Sequence, residues 1–294
     1  MKDAAMLLPG LLLSGLLFDA EPVLPRPPQT AAAAAELRYP WLPAGRYAER
    51  NSLATRFPVP AGYQRVEVPV GSFGHWLRYV PLLPAGTAVR LYNGQLKDRP
   101  DVHAAVLDLD VGPQDLQQCA DAVIRLRAEY LFSQDPARIH FQLTSGHDIA
   151  FQPWCAGTGF RVLYGEDVQP TAKPVEAPTH DALRRYLVQI FSYAGTRSLV
   201  RELRPVPLAQ VQPGDVLIRG GSPGHAVLVL DVAVQPATGR RVALLAQSYM
   251  PAQQVHVLKA GPRPEAGAWL VLDPSRPQVH TPEWTFAREE LGRF

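Results

Sequence analysis

Two residues far apart in the chain carry the chemistry of a nucleophile and its base. Cys119 lies in "DLQQCADAVIRLRAEYL", and His225 opens the apolar run "HAVLVLDVAV" directly after the turn-forming "GSPG". A cysteine attacks as its thiolate, and the partial positive charge at a helix start favours that form. A base must stand within hydrogen-bond reach of the thiol and be oriented by a third group. Along an extended run, His225, Val227, Val229 and Asp231 share one face. A hairpin turn centred near Ala237 sets Tyr249 opposite His225 and Gln247 diagonal to it on that face. Gln247 is therefore the expected orienter, accepting from the imidazole through its amide oxygen, with Tyr249 second. A register slip of one residue would put Ser248 in its place. Gln118 and Tyr92 are the expected oxyanion or substrate contacts, with Tyr249 beside them. Each residue alone has a plain structural reading, since cysteine is often a small buried hydrophobe and a strand-end histidine a satisfied core residue. It is their order that points to acyl transfer.

The elements that must position these groups are legible as periodicity. Residues 112–133 place Leu116, Ala120, Val123, Ile124, Ala128 and Leu131 at helical spacing. Gly112 and Pro113 mark the expected start, and Asp115 falls in the expected first turn. "VQPGDVLIRG", "HAVLVLDVAV" and "VALLAQSYM" predict three consecutive antiparallel strands. "THDALRRYLVQIFSYAGTRSLVREL" predicts a second helical stretch broken at "SYAGT". Asn93-Gly94 predicts a hairpin whose return strand is "HAAVLDLDV", and "QVHTPEWTF" reads as loop. Helices followed by strands predict an α+β fold: a Cys-bearing helix on an antiparallel sheet, with extra N-terminal strands and a helical insertion.

Composition bounds the partners. Of 294 residues, 47% are apolar and 19% charged, the balance of a globular chain. A net charge of +2, with no basic stripe interleaved with aromatics, gives no footprint for nucleic acid. Asp108 and Asp110 share a strand face, where they would bind a metal or an amine, or pair with Arg125 and Arg127. His147 and Asp148 are adjacent but have no partner at zinc spacing, and no phosphate-cradling glycine motif is present. No metal or cofactor is therefore expected. The apolar stretch from Ala4 to Phe18 is short for a membrane span and suits a signal peptide over residues 1–20. No transmembrane helix is then expected in the mature protein. Residues 21–36 read as a Pro/Ala-rich linker and residues 37–294 as one domain. Export to the periplasm or cell envelope follows if the leader is cleaved, and a cytoplasmic location if it is not. The two cysteines, Cys119 and Cys155, would be bridged in an oxidising compartment on a purely structural reading.

Longer stretches carry a family resemblance. "SFGHWLRYVPL", "LYNGQLK", "HAAVLDLDVGPQDLQQCADAVIRLRAEYL", "FSYAGTRSL", "GGSPGHAVLVLDVA", "LLAQSYMPAQQVHVLK" and "TPEWTF" are similar to the bacterial family known as domain of unknown function 4846. More distantly, "GDVLIRGGSPGHAVLVLDVA" followed by "LLAQSYMPAQ" resembles NlpC-type papain-like cysteine peptidases. In those enzymes a Cys helix is followed by a "GD" strand, a "GH" strand and a third polar residue. That second resemblance implies a papain-like core and hydrolysis of an amide, plausibly in cell-wall peptide or glycopeptide. Cys119 is the implied nucleophile, His225 the base and Gln247 its orienter. The chain departs from the pattern in two ways. "RYLVQIFSYAGT" lengthens the Cys-to-His separation, and "DLQQ" replaces the Gly-rich aromatic lead-in. The alternative is a non-catalytic envelope module, with "SFGHW", "FQPWCAGTGF" and "SYMPAQ" forming a groove.

Overall fold

The computed structural model describes Met1 and residues 39–164, 167–261 and 267–294; apart from Met1, the expected leader and linker lie outside the described residues. Its centre is an antiparallel sheet. The seven strands of its main path are β1 (His103–Val106), β2 (Arg204–Pro205), β3 (Val216–Arg219), β4 (His225–Val234), β5 (Arg241–Gln247), β6 (His256–Leu258) and β7 (Leu291–Arg293), in spatial order β1-β6-β5-β4-β3-β7-β2. Gln64–Arg65 adds to the far end of β4, and Trp269–Leu272 to β5. The helices of six or more residues among those described are α1 (Phe73–Arg78), α2 (Cys119–Gln134), α3 (His180–Tyr193) and α4 (Thr196–Glu202). The expected mixed α/β architecture and the β3–β4–β5 meander are both present.

Both faces of β4 are covered, which explains why its sequence is nearly all apolar. Ala226, Leu228 and Leu230 join the helical core with Leu126, Leu183 and Leu187. Val227, Val229 and Val232 join a second core with Leu208, Val211 and Phe286. The alternation breaks at a bulge, where Leu244 pairs with Asp231 but Leu245 with Val229. Asp231 is thereby turned away from the Val227–Val229 face expected for it. Fully buried, it accepts from Arg65 at 2.6 Å and from Arg78 of α1 at 2.9 Å. A buried carboxylate needs such partners, and here it ties the N-terminal segment to the sheet.

Several expectations are corrected. Helix α2 starts at Cys119, not near Gly112, because the preceding residues bond elsewhere. Asp115 accepts from the Ala252 amide at 2.6 Å, and Gln117 accepts from the buried Arg125 at 3.0 Å. The Asn93-Gly94 turn closes only a local bridge, Arg90 to Leu96, while β1 pairs with β6. From residue 39 to β1 the described chain is mostly short helices and loops, with Gln64–Arg65 the one strand among those residues. The "QVHTPEWTF" segment is a hairpin, Gln278–His280 against Thr285–Ala287. Between α2 and α3 the chain also forms two hairpins, His140–Gln142 with Asp148–Ala150 and Thr158–Val162 with Val168–Ala172. Asp110 pairs with Arg125 as expected and with Arg184, but Arg127 does not join it. Cys119 and Cys155 are both free, so the bridge weighed from the sequence is not formed.

Candidate active site

A cleft of about 520 Å³ opens where the start of α2, the loop before β4 and the end of β5 converge. Cys119 and His225 both line it, 106 residues apart in sequence (225 − 119). Cys119 is the first residue of α2, and the Gln118 amide before it donates to Asp121 Oδ2 at 3.1 Å. The backbone of Ala226, which follows His225, and the helix-start backbone of Ala120 and Cys119 lower the thiol's pKa. These favour thiolate. Burial outweighs them, since Cys119 is 9% exposed, and pushes the thiol up to about 11.

His225 is 2% exposed, and burial drives its imidazole down to about 4 against the opposing hydrogen bond to Gln247. Its Nε2 lies 2.8 Å from Gln247 Oε1. Gln247 in turn donates through Nε2 to Glu283 Oε2 at 2.6 Å, and Glu283 Oε1 pairs with Lys97 at 2.8 Å. This chain determines the tautomer. A carboxylate only accepts, so the Gln247 amide nitrogen must face Glu283 and its oxygen must face the imidazole. His225 Nε2 therefore carries the proton, and Nδ1 keeps the lone pair. The rings of Tyr249 (5.0 Å), Trp284 (5.1 Å) and Phe286 (6.0 Å) hold the imidazole in place.

The register expected from the turn holds at this end of the hairpin, where Ala246 pairs with Leu228. Gln247 is the partner of His225, and Tyr249 lines the cleft beside it. Ser248 is instead buried against the carbonyls of Gln117 and Gln253. Gln118 lines the cleft with its amide donating to Asp115 at 3.1 Å. Tyr92 is not among the cleft-lining residues; its amide bonds to the Ala252 carbonyl in the Asn-Gly turn. The three loops proposed for a binding groove do not converge, because Trp76 and Trp154 are core residues. Only "SYMPAQ" contributes, through Tyr249 and Met250.

Three residues of the site were not singled out from the sequence. Glu283 and Trp284 arrive on the hairpin read as loop, and Lys97 follows the Asn-Gly turn. The "helical insertion" also has a local task. It supplies one wall of the cleft, and Thr196 Oγ1 stands 3.3 Å from both the amide and the carbonyl of Gly221. Gly224 packs beneath this loop. A Cβ there would lie 2.4 Å from Thr196 Oγ1 and 2.6 Å from the Gly221 carbonyl oxygen. Gly224→Ala is expected to lower stability by about 1–3 kcal/mol in urea unfolding, because backbone must move to admit the methyl group. A variant as stable as the parent would contradict that packing.

Fold and site together define an α+β protein whose cleft is lined by a thiol at a helix start and by an amide-oriented histidine. The chain belongs to the family described as Domain of unknown function (4846), which it matches over residues 53–293. No curated protein and no solved structure matches the chain. Among the described residues no cluster of three or more His, Cys, Asp or Glu is placed to hold a metal ion, and no helix is long and apolar enough to cross a membrane.

Proposed function

We propose that this cleft is the active site of a cysteine hydrolase of papain-like, NlpC-type design, acting on an amide in an exported setting such as cell-wall peptide. The observation that carries the reading is the Lys97–Glu283–Gln247–His225 chain, which leaves the Nδ1 lone pair free on a histidine that lines the same cleft as the Cys119 thiol. Cys119 Sγ attacks the carbonyl carbon while its proton passes to His225 Nδ1. The C–N bond then breaks, and that proton leaves with the amine. Water, deprotonated by His225, attacks the thioester, releasing the acid and restoring the thiol. The helix-start amides of Cys119 and Ala120 are the proposed oxyanion donors, in place of Tyr92. At neutral pH the pair rests as thiol and neutral imidazole, so proton transfer accompanies attack and does not precede it.

The test is a panel of peptide amides, including cell-wall-type peptides, followed by mass spectrometry. The expected result is cleavage by the parent protein and none by Cys119→Ala or His225→Ala. Undiminished cleavage by Cys119→Ala would overturn the assignment. A second reading, a non-catalytic envelope binding module, is favoured by the protonated thiol and by the Tyr249, Met250 and Trp284 wall. It requires that no amide be cleaved and that Cys119→Ala bind peptide as tightly as the parent.

A further inference from the structure

Among the described residues the buried and half-buried arginines donate to a carboxylate or, as Arg56 does to Leu83 at 2.9 Å and Arg241 to Val211 at 3.4 Å, to a backbone carbonyl; Arg127 alone does neither. Arg78 pairs with Asp231, Arg125 with Glu129 and Asp110, and Arg293 with Asp215. Arg127, two turns beyond Cys119 on α2, pairs with no carboxylate among the described residues. Its guanidinium is instead framed by the rings of Phe294 (4.9 Å), Phe73 (5.1 Å) and Tyr130 (5.5 Å). Three rings fix the orientation of the fork without neutralising it, so its donors are preorganised yet unspent. Arg138, exposed on the turn Pro136–Arg138, also has no carboxylate partner among the described residues. Burial and the Arg138 charge both hold the Arg127 guanidinium below its ordinary value. Withdrawing one cation from water beside another is costly, and an anion between them would offset that cost.

Both arginines line a concavity of about 500 Å³. Leu131 and Phe141 give it an apolar side, and Phe294 lies at the Arg127 end. Glu202, also in its lining, is engaged with the Gln142 amide at 2.8 Å. We propose that this concavity binds an organic oxyanion, a carboxylate or phosphate on an apolar body, with Arg127 as the fixed fork and Arg138 as the second cation. The site is separate from the cleft. Arg127 lies eight residues along α2 from Cys119, about 12 Å at helical rise, and the proposal does not depend on the hydrolase reading.

The test uses the full chain and the Nε–H signal of Arg127 in a nitrogen-15 spectrum, identified by its loss in Arg127→Lys. N-acetylphenylalanine and inorganic phosphate are titrated separately, each against sodium chloride at matched ionic strength. A saturable shift is expected with at least one of them. Tighter binding of N-acetylphenylalanine assigns a carboxylate ligand, and tighter binding of phosphate assigns a phosphoryl one. Arg138→Gln, an exposed position whose change spares the core, is expected to weaken binding about tenfold or more. Shifts no larger than those with chloride, or affinity unchanged in Arg138→Gln, would overturn the proposal.

Discussion

Alkylation of Cys119 by iodoacetamide is expected to be slow at pH 6 and to rise about tenfold per pH unit until it levels near pH 11. Position at a helix start argues the other way, toward a thiolate at low pH. The structure reverses that expectation because Cys119 is the first residue of the helix and also part of the core. Desolvation of the charged sulfur exceeds what the neighbouring amides return. The histidine gives no help in the ground state, since an imidazole held near 4 is uncharged at pH 6. His225→Ala is therefore expected to change the iodoacetamide rate by less than about tenfold. An aldehyde or amide carbonyl differs, because its addition must deliver a proton as the sulfur bonds. There the same variant is expected to cost about 10²–10⁴-fold. Running both reagents on a Cys155→Ser background separates a base from a packing residue. Fast labelling at pH 6 that collapses in His225→Ala would mean a preformed ion pair and would refute the neutral resting state.

What could be read from the sequence follows from how local each determinant is. The β4–β5 hairpin register near the site is set by the turn between the strands and by two apolar faces, so Gln247 could be placed against His225 from residue numbers. The bulge opposite Asp231 could not, because it depends on Arg65 and Arg78 reaching the same carboxylate from distant segments. The start of α2 was misread for a similar reason. Residues 114–118 have no helix-breaking signal, and they leave the helix because Asp115 and Gln117 are taken by Ala252 and Arg125. Glu283 was the larger omission. One carboxylate among 27 acidic residues has no local mark of function, and only the fold brings "TPEWTF" under the Gln247 amide.

Acid is expected to destabilise this protein before most of its carboxylates are protonated. Burial holds His225 near 4 and His256 near 3, against an ordinary value of 6.5 for the unfolded chain. Both are depressed bases, so their neutral forms suit the fold above pH 6.5. Below that value the unfolded chain gains protons that the native state cannot accept. At pH 4.5 each histidine is expected to have withdrawn about 2–3 kcal/mol of the stability present at pH 7, at about 1.4 kcal/mol per pKa unit. Against a typical total of about 5–15 kcal/mol the two are a large fraction, while Glu202, raised to about 7 by burial, takes up a proton in the folded state over the same window and offsets part of the loss. His256 allows a clean test because it lies outside the cleft. Its Nδ1 bonds to the Gln254 carbonyl at 2.9 Å, while its buried Nε2 has no partner among the described residues. His256→Leu is expected to lose some packing at pH 7 and to lose about 2–3 kcal/mol less further stability than the parent between pH 7 and pH 4.5, measured by urea unfolding at both values. Equal pH slopes in the two proteins would refute the assignment. The chemistry fails lower on the pH scale, because the proton that His225 takes up near pH 4 occupies the Nδ1 lone pair that the Glu283–Gln247 chain leaves free. Loss of stability should thus begin below about pH 6.5 and precede loss of base function in the folded protein.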